Sequence, residues 1–266
     1  MKTLFALTKN TFRETIRDRI LLVIVFFGVI LIIATQLLSE LSVRQDEKVL
    51  LDLGLGLIDI FGMLVTIFVG TQLIFREVDK RTIFVVLSKP VSRSSFLISK
   101  FFGLGAILTL ITVVMLAVFI TVVLIRTDLV VSDEVIHLAF LGKLLLITAF
   151  SLLSFLLMLA LVIFFCSFMS PVLAAFSSIT MFVVGHMTDD LRMFALFNRE
   201  STDVLKKIAD AVYFGLPNFS LLNLKNFVLN DIVFSAMQLF AIAGGALLWI
   251  FVLLVLASAF FSHREF

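Results

Sequence analysis

Leu141–Met187 reads LGKLLLITAFSLLSFLLMLALVIFFCSFMSPVLAAFSSITMFVVGHM, 47 residues whose only formal charge is Lys143. As one helix it would be roughly 70 Å long at about 1.5 Å per residue, more than twice the ~30 Å hydrocarbon core of a bilayer. The stretch therefore has to divide. It divides at Ser167-Phe168-Met169-Ser170-Pro171, because Pro at a first helical position starts a new helix and disfavours prolonging the old one. Two crossings result, Leu141–Phe165 and a shorter one, Val172–Met187.

The rest of the chain agrees with a lipid solvent. Of 266 residues, 61% are hydrophobic and 15% charged, against roughly 45–50% and about 25% in a soluble domain. Folding in water leaves too much surface wet to hide that excess. Four further stretches are long and apolar enough to span: Ile20–Leu38, Leu53–Phe75, Phe101–Ile125 and Ile232–Phe261. That makes six. The first follows a long charged leader rather than a short one, so it reads as an uncleaved anchor. The 31 Phe against one Trp and one Tyr suit helix packing and lipid, although the usual interfacial Trp/Tyr belt is nearly missing. One cysteine, Cys166, excludes a disulfide framework or a Cys metal cluster. A net charge of +2 is too small to point to nucleic acid.

Charge placement gives the orientation. Twelve of the 21 basic residues fall on one side of a six-span chain: Lys2, Lys9, Arg13, Arg17 and Arg19 in the leader, Arg76, Lys80, Arg81, Lys89, Arg93 and Lys100 between spans two and three, and Arg264 at the tail. Only five of the 19 acids accompany them. Basic loops stay in the cytoplasm, so both termini are expected there. The leader, residues 1–19, places Leu4, Phe5, Phe12, Ile16 and Ile20 mostly on one helical face and Lys9, Arg13 and Arg17 on another. It reads as an amphipathic helix lying in the membrane plane. Residues 188–231 form the long outer loop, with a helical pattern from Asp203 to Val212 that ends at Gly215-Leu216-Pro217-Asn218.

The segment 76–100 reads REVDKRTIFVVLSKPVSRSSFLISK. It is mixed-charge at the start, apolar in the middle and broken at Lys89-Pro90. Ser92 is placed to cap a second helix that runs into span three. A short charged helix that turns at Pro and re-enters the membrane can act as a lever on a soluble partner; the same composition also describes an ordinary basic loop on anionic headgroups. The succession acid, basic, Thr, apolar run, Lys-Pro, Ser-Arg, Phe-Leu and Lys resembles the coupling loop of ABC-2 type transporter permeases. Within that family it is similar to the permease of the nitrous-oxide reductase copper-maturation system. The basic leader, six spans and Leu216-Pro217-Asn218-Phe219 before the last span extend the resemblance over most of the chain. Ser99 stands where such permeases often have Gly before the Lys.

The resemblance implies an all-α polytopic membrane protein, a single permease domain over 1–266, with a coupling loop at 76–100 that docks on a separate ATPase. Glu77, Asp79, Arg81 and Thr82 would face that ATPase; Pro90, Arg93 and Lys100 would shape the return into span three. The expected working unit adds a second copy or a paralogous permease, in a bacterial inner membrane, with an extracytoplasmic protein as a further candidate partner. The chain has no Gly-x-x-x-x-Gly-Lys-Ser/Thr phosphate loop, no His-Glu-x-x-His and no Gly-x-Ser-x-Gly. ATP and Mg are therefore expected on the partner; no catalytic, cofactor or metal residue is expected here, and His137, His186 and His263 read as scattered surface or interface residues. The spans show isolated Ser and Thr, which does not suit intramembrane catalysis. Asp59, the one acid inside an expected span, is a candidate intramembrane polar site or an interfacial carboxylate reaching water. Two functions remain: a permease moving a substrate, outward by family analogy, or a non-transporting scaffold that passes ATPase work to an extracytoplasmic partner.

Overall fold

The computed structural model describes residues 46–79, 93–126, 134–197, 203–225 and 234–263, with short pieces at 8–9, 11–12, 26–27, 29–31 and 33. The described residues form helices α1 (Asp46–Asp79), α2 (Arg93–Arg126), α3 (Glu134–Cys166), α4 (Pro171–Phe197), α5 (Asp203–Gly215) and α6 (Ala236–His263), with one 3₁₀ turn at Ser220–Leu222. Five of them contain stretches long and apolar enough to cross a bilayer: Leu51–Phe75, Ser95–Val123, Leu141–Cys166, Pro171–Leu196 and Ala236–Phe261. The chain is an all-α polytopic membrane protein. The expected first span, Ile20–Leu38, and the leader lie largely outside the described residues. Its described positions 26–27, 29–31 and 33 are helical, with Phe27 and Leu31 buried and Phe26 and Ile33 exposed. Phe27 meets Phe61 of α1 edge-on at 5.7 Å.

α3 is the central rod, packed against α1, α2, α4 and α6. From Leu157 to Ile163 every side chain is buried. A helix apolar on all faces can sit only inside a bundle or in lipid, and this one is enclosed by its own neighbours. Close approach to α1 depends on Gly62, where a Cβ would stand 2.2 Å from the Phe155 ring of α3. α6 is the opposite case. Ala246, Ile250, Leu253, Ala257 and Phe261 face the bundle, while Met237, Phe240, Leu248 and Phe251 are more than half exposed. α4 likewise exposes Val172, Phe176 and Phe194. Faces this apolar are stable against hydrocarbon or another subunit, not against water.

The division at residues 167–171 falls where the sequence puts it. α3 ends at Cys166, Ser167 donates its hydroxyl to the Ile163 carbonyl at 2.9 Å, and the Ser170 carbonyl accepts the amide of Ala174 at 2.8 Å to open α4. Several other hydroxyls in the spans are satisfied in the same local way, whereas the buried Thr71 hydroxyl of α1 has no hydrogen-bond partner. Thr66, Thr112, Thr148 and Ser178 each donate to the carbonyl four residues back, at 2.7–2.9 Å, which removes an otherwise costly unpaired group from an apolar setting. The expected ends of span five do differ. α4 continues ten residues beyond Met187, to Phe197, so 188–197 belong to a helix rather than to a loop.

Candidate functional site

Two places concentrate polar chemistry, at opposite ends of the bundle. The first is the α1–α2 hairpin. α1 runs without a break from its apolar span into Glu77 and Asp79, which lie in its last turn, and Arg93 is the first residue of α2. Arg81, Thr82 and Pro90 fall outside the described residues. Lys100 is buried, 3% exposed, with its ammonium 5.6 Å from the centre of the Phe96 ring. Phe96 in turn stacks on Phe261 of α6 at 6.1 Å.

The residue that departs from the family pattern, Ser99, is fully buried inside α2, with no turn at this point. Its hydroxyl donates to the Phe96 carbonyl at 2.7 Å, and its own carbonyl accepts from Thr8 Oγ1 at 3.5 Å. The close approach that a glycine would permit occurs one turn later. A Cβ on Gly103 would lie 2.7 Å from the Thr11 side chain and 3.2 Å from the Thr8 carbonyl oxygen. Thr11 is buried and Phe12 packs on the core. Thr8 and Thr11 of the leader therefore rest on the helix that carries Lys100.

The second place surrounds Asp59, two turns into the apolar stretch of α1. The Asp59 carboxylate pairs with Lys225 Nζ at 2.8 Å, and neither side chain is more than a quarter exposed. Lys225 arrives on the segment that follows α5. Helix α5 ends at Gly215, and the chain then folds down onto α4. Phe219 is completely buried, donates its amide to the Gly185 carbonyl at 3.1 Å and stacks on His186 with ring centres 5.9 Å apart. Only glycine fits at 185, since a Cβ would stand 2.5 Å from the Phe219 ring and 2.8 Å from the Pro217 carbonyl oxygen. Asp189 accepts hydrogen bonds from the Asn218 amide at 3.2 Å and from the Ser220 hydroxyl. Beneath this segment lies a cavity of about 20 Å³, room for one water. Asp59 of α1, Ser151 and Ser154 of α3, His186 of α4 and Asn223 supply its polar walls.

A shallower groove of about 190 Å³ opens between α3, α5, the 3₁₀ turn and α6. The chain's only Tyr and only Trp, Tyr213 and Trp249, both line it. Arg192 of α4 lies 4.2 Å over the Tyr213 ring and bonds Asp210 at 3.0 Å, fastening α5 to α4. Among the described residues no three His, Cys, Asp or Glu gather as metal ligands would.

The described residues form a helical bundle with the charged ends of α1 and α2 at one end and a segment folded over Asp59 at the other. The family described as ABC-2 family transporter protein matches residues 5–266 of this chain. The chain belongs to the ABC-2 membrane permease family. A search of curated proteins finds no match.

For an ABC-2 permease the hairpin end is the part that sequence reasoning singled out. Of its residues, the structure draws Lys100 into the bundle beside the leader. What the sequence did not reveal is the grouping around Asp59. Ser151, Ser154, His186, Asn223 and Lys225 look isolated along the chain, yet the first four line one cavity with Asp59 and Lys225 pairs with its carboxylate. The available signal was spacing: Ser151 and Ser154 are three apart on one face of α3, and Lys225 is the first basic residue after the Leu-Pro-Asn-Phe stretch.

Proposed function

We propose that this ABC-2 family protein is the membrane-spanning subunit of a transporter driven by a separate ATPase, with residues 76–100 as the coupling hairpin. The observation that carries the reading is the continuity of α1. One uninterrupted helix joins the Asp59 cavity to Glu77 and Asp79, so force applied to the hairpin has a stiff element through which to act near the cavity. The basic character of that hairpin and of the leader supports a cytoplasmic location for both, six spans with the Ile20–Leu38 segment as the first, and both termini inside an inner membrane. The exposed apolar faces of α4 and α6 leave room for a second permease subunit, identical or paralogous.

In this account two permeases and two ATPases form the working unit. ATP and Mg bind the partner; closure of the ATPases presses on the hairpin, and the bundle exchanges one opening for another. The route is outward by family analogy. The hairpin's likeness to the permease of the nitrous-oxide reductase copper-maturation system supports an extracytoplasmic protein as a further partner. A second reading, a scaffold that transmits ATPase work without passing a substrate, is favoured by one observation: the cavity beside Asp59 holds no more than a water-sized group.

The test is co-purification with a co-expressed ABC ATPase subunit from the same source. Glu77→Ala combined with Arg81→Ala is expected to leave membrane insertion intact and to lower recovery of the ATPase at least about tenfold, the effect of removing ~1.4 kcal/mol of binding. Unchanged recovery would remove the docking role from the hairpin.

A further inference from the structure

Asp59 sits eight residues inside the apolar stretch that begins at Leu51, about 12 Å along the helix axis. A carboxylate at such a depth needs a counter-charge. The one it has comes from the far end of the chain, on a segment held to the bundle by Phe219 and by the Asp189 hydrogen bonds. Gly56, one turn before Asp59, lies beside the ammonium: a Cβ there would be in ordinary contact with Lys225 Nζ, at 3.8 Å. Around the carboxylate stand the hydroxyl-bearing Ser151 and Ser154, Asn223, His186 and the rings of Phe182 and Phe219. A carboxylate with neutral oxygen acceptors beside it is a set of groups that binds an ammonium.

We propose that Asp59 and its cavity form a binding site for a primary alkylammonium group, occupied here by the chain's own Lys225 as a tethered ligand. When the segment carrying Lys225 lifts, the carboxylate is left unpaired and recruits another cation of the same kind. A free amine then competes with an intramolecular one, whose effective concentration is on the order of millimolar for a short flexible tether. The closed segment thus keeps the site shut to dilute amines. The claim that such an amine is cargo rests on the transport reading above; the binding site itself does not.

The experiment is chemical rescue of the purified full-length chain, read by its melting temperature in detergent at pH 8, where alkylamines remain protonated with a pKa of about 10.4. Lys225→Ala is expected to melt several degrees lower than the unaltered protein. n-Propylammonium at tens of millimolar should restore at least half of that loss, while tetramethylammonium and sodium chloride at equal ionic strength should not. Lys225→Ala combined with Asp59→Asn should show no amine response. Lys225→Met keeps the side chain out to its ε position and removes only the charged nitrogen, so ammonium, not n-propylammonium, should stabilise it; this variant answers the question if Lys225→Ala does not fold. Equal stabilisation by every salt, no stabilisation by any amine, or an undiminished response after loss of the Asp59 charge would each overturn the proposal. No ATPase enters this measurement, so its failure and a failure of the hairpin to dock are separate results.

Discussion

Gly185 and Gly142 show how differently one residue type is used in the same membrane protein. At 185 the missing side chain lets Phe219 and the Pro217 carbonyl lie against α4; at 142 nothing stands within 4 Å of the position a Cβ would take. Gly185→Ala is therefore expected to lower stability by about 1–3 kcal/mol, the usual cost of forcing extra volume into a packed site. Gly142→Ala should be neutral or slightly stabilising, within about 1 kcal/mol, because Ala is the better helix former. Thermal unfolding of both variants in the same detergent checks the pair. A like loss at both positions would contradict the packing assigned to the segment folded over Asp59. At this scale the sequence is only partly legible. Asp59 stands out because a lone acid in an apolar run is conspicuous. Its partner is marked only by following the Leu-Pro-Asn-Phe stretch, and nothing in that position says that the burial of Phe219 and the turn at Pro217-Asn218 bring Lys225 to Asp59.

Among the elements, the break at 167–171 could be read directly, since length and proline both demand it. The end of α4 could not. Asp189, Asp190 and Arg192 look like the exit from the membrane, yet α4 continues to Phe197. Those charges are accommodated by what packs on them: Arg192 by Asp210 and Tyr213, Asp189 by Asn218 and Ser220. A one-dimensional reading charges a helix for polar groups whose partners arrive later in the chain. The leader carries a similar lesson. Its charge pattern announces an amphipathic helix, but its seat on α2 depends on Gly103, a small residue with no signal of its own. Gly103→Leu should displace Thr11 from that seat and raise trypsin cleavage after Lys9 severalfold in detergent-solubilised protein. Cleavage at the original rate would show that the leader does not depend on this contact.

For the molecule as a whole, class was set by composition and the detail by burial. A chain 61% hydrophobic has to meet lipid, and the structure shows which apolar faces stay open: those of α4 and α6, while α3 is enclosed from Leu157 to Ile163. The segment 76–100 stands out in the sequence by its charges, because charge patterns on loops report topology, while Arg81, Thr82 and Pro90 lie outside the described residues. The polar cavity does not stand out, because its walls come from α1, α3, α4 and the segment after α5, and only packing brings them together. The central claim is that the charged hairpin between α1 and α2 faces the cytoplasm, where an ATPase can reach it. It is tested most directly by a single cysteine at Ser88, on a background with Cys166→Ala, probed with a membrane-impermeant maleimide. Labelling in inside-out vesicles and none in intact cells is the expected result; labelling of intact cells, with inside-out vesicles protected, would contradict it.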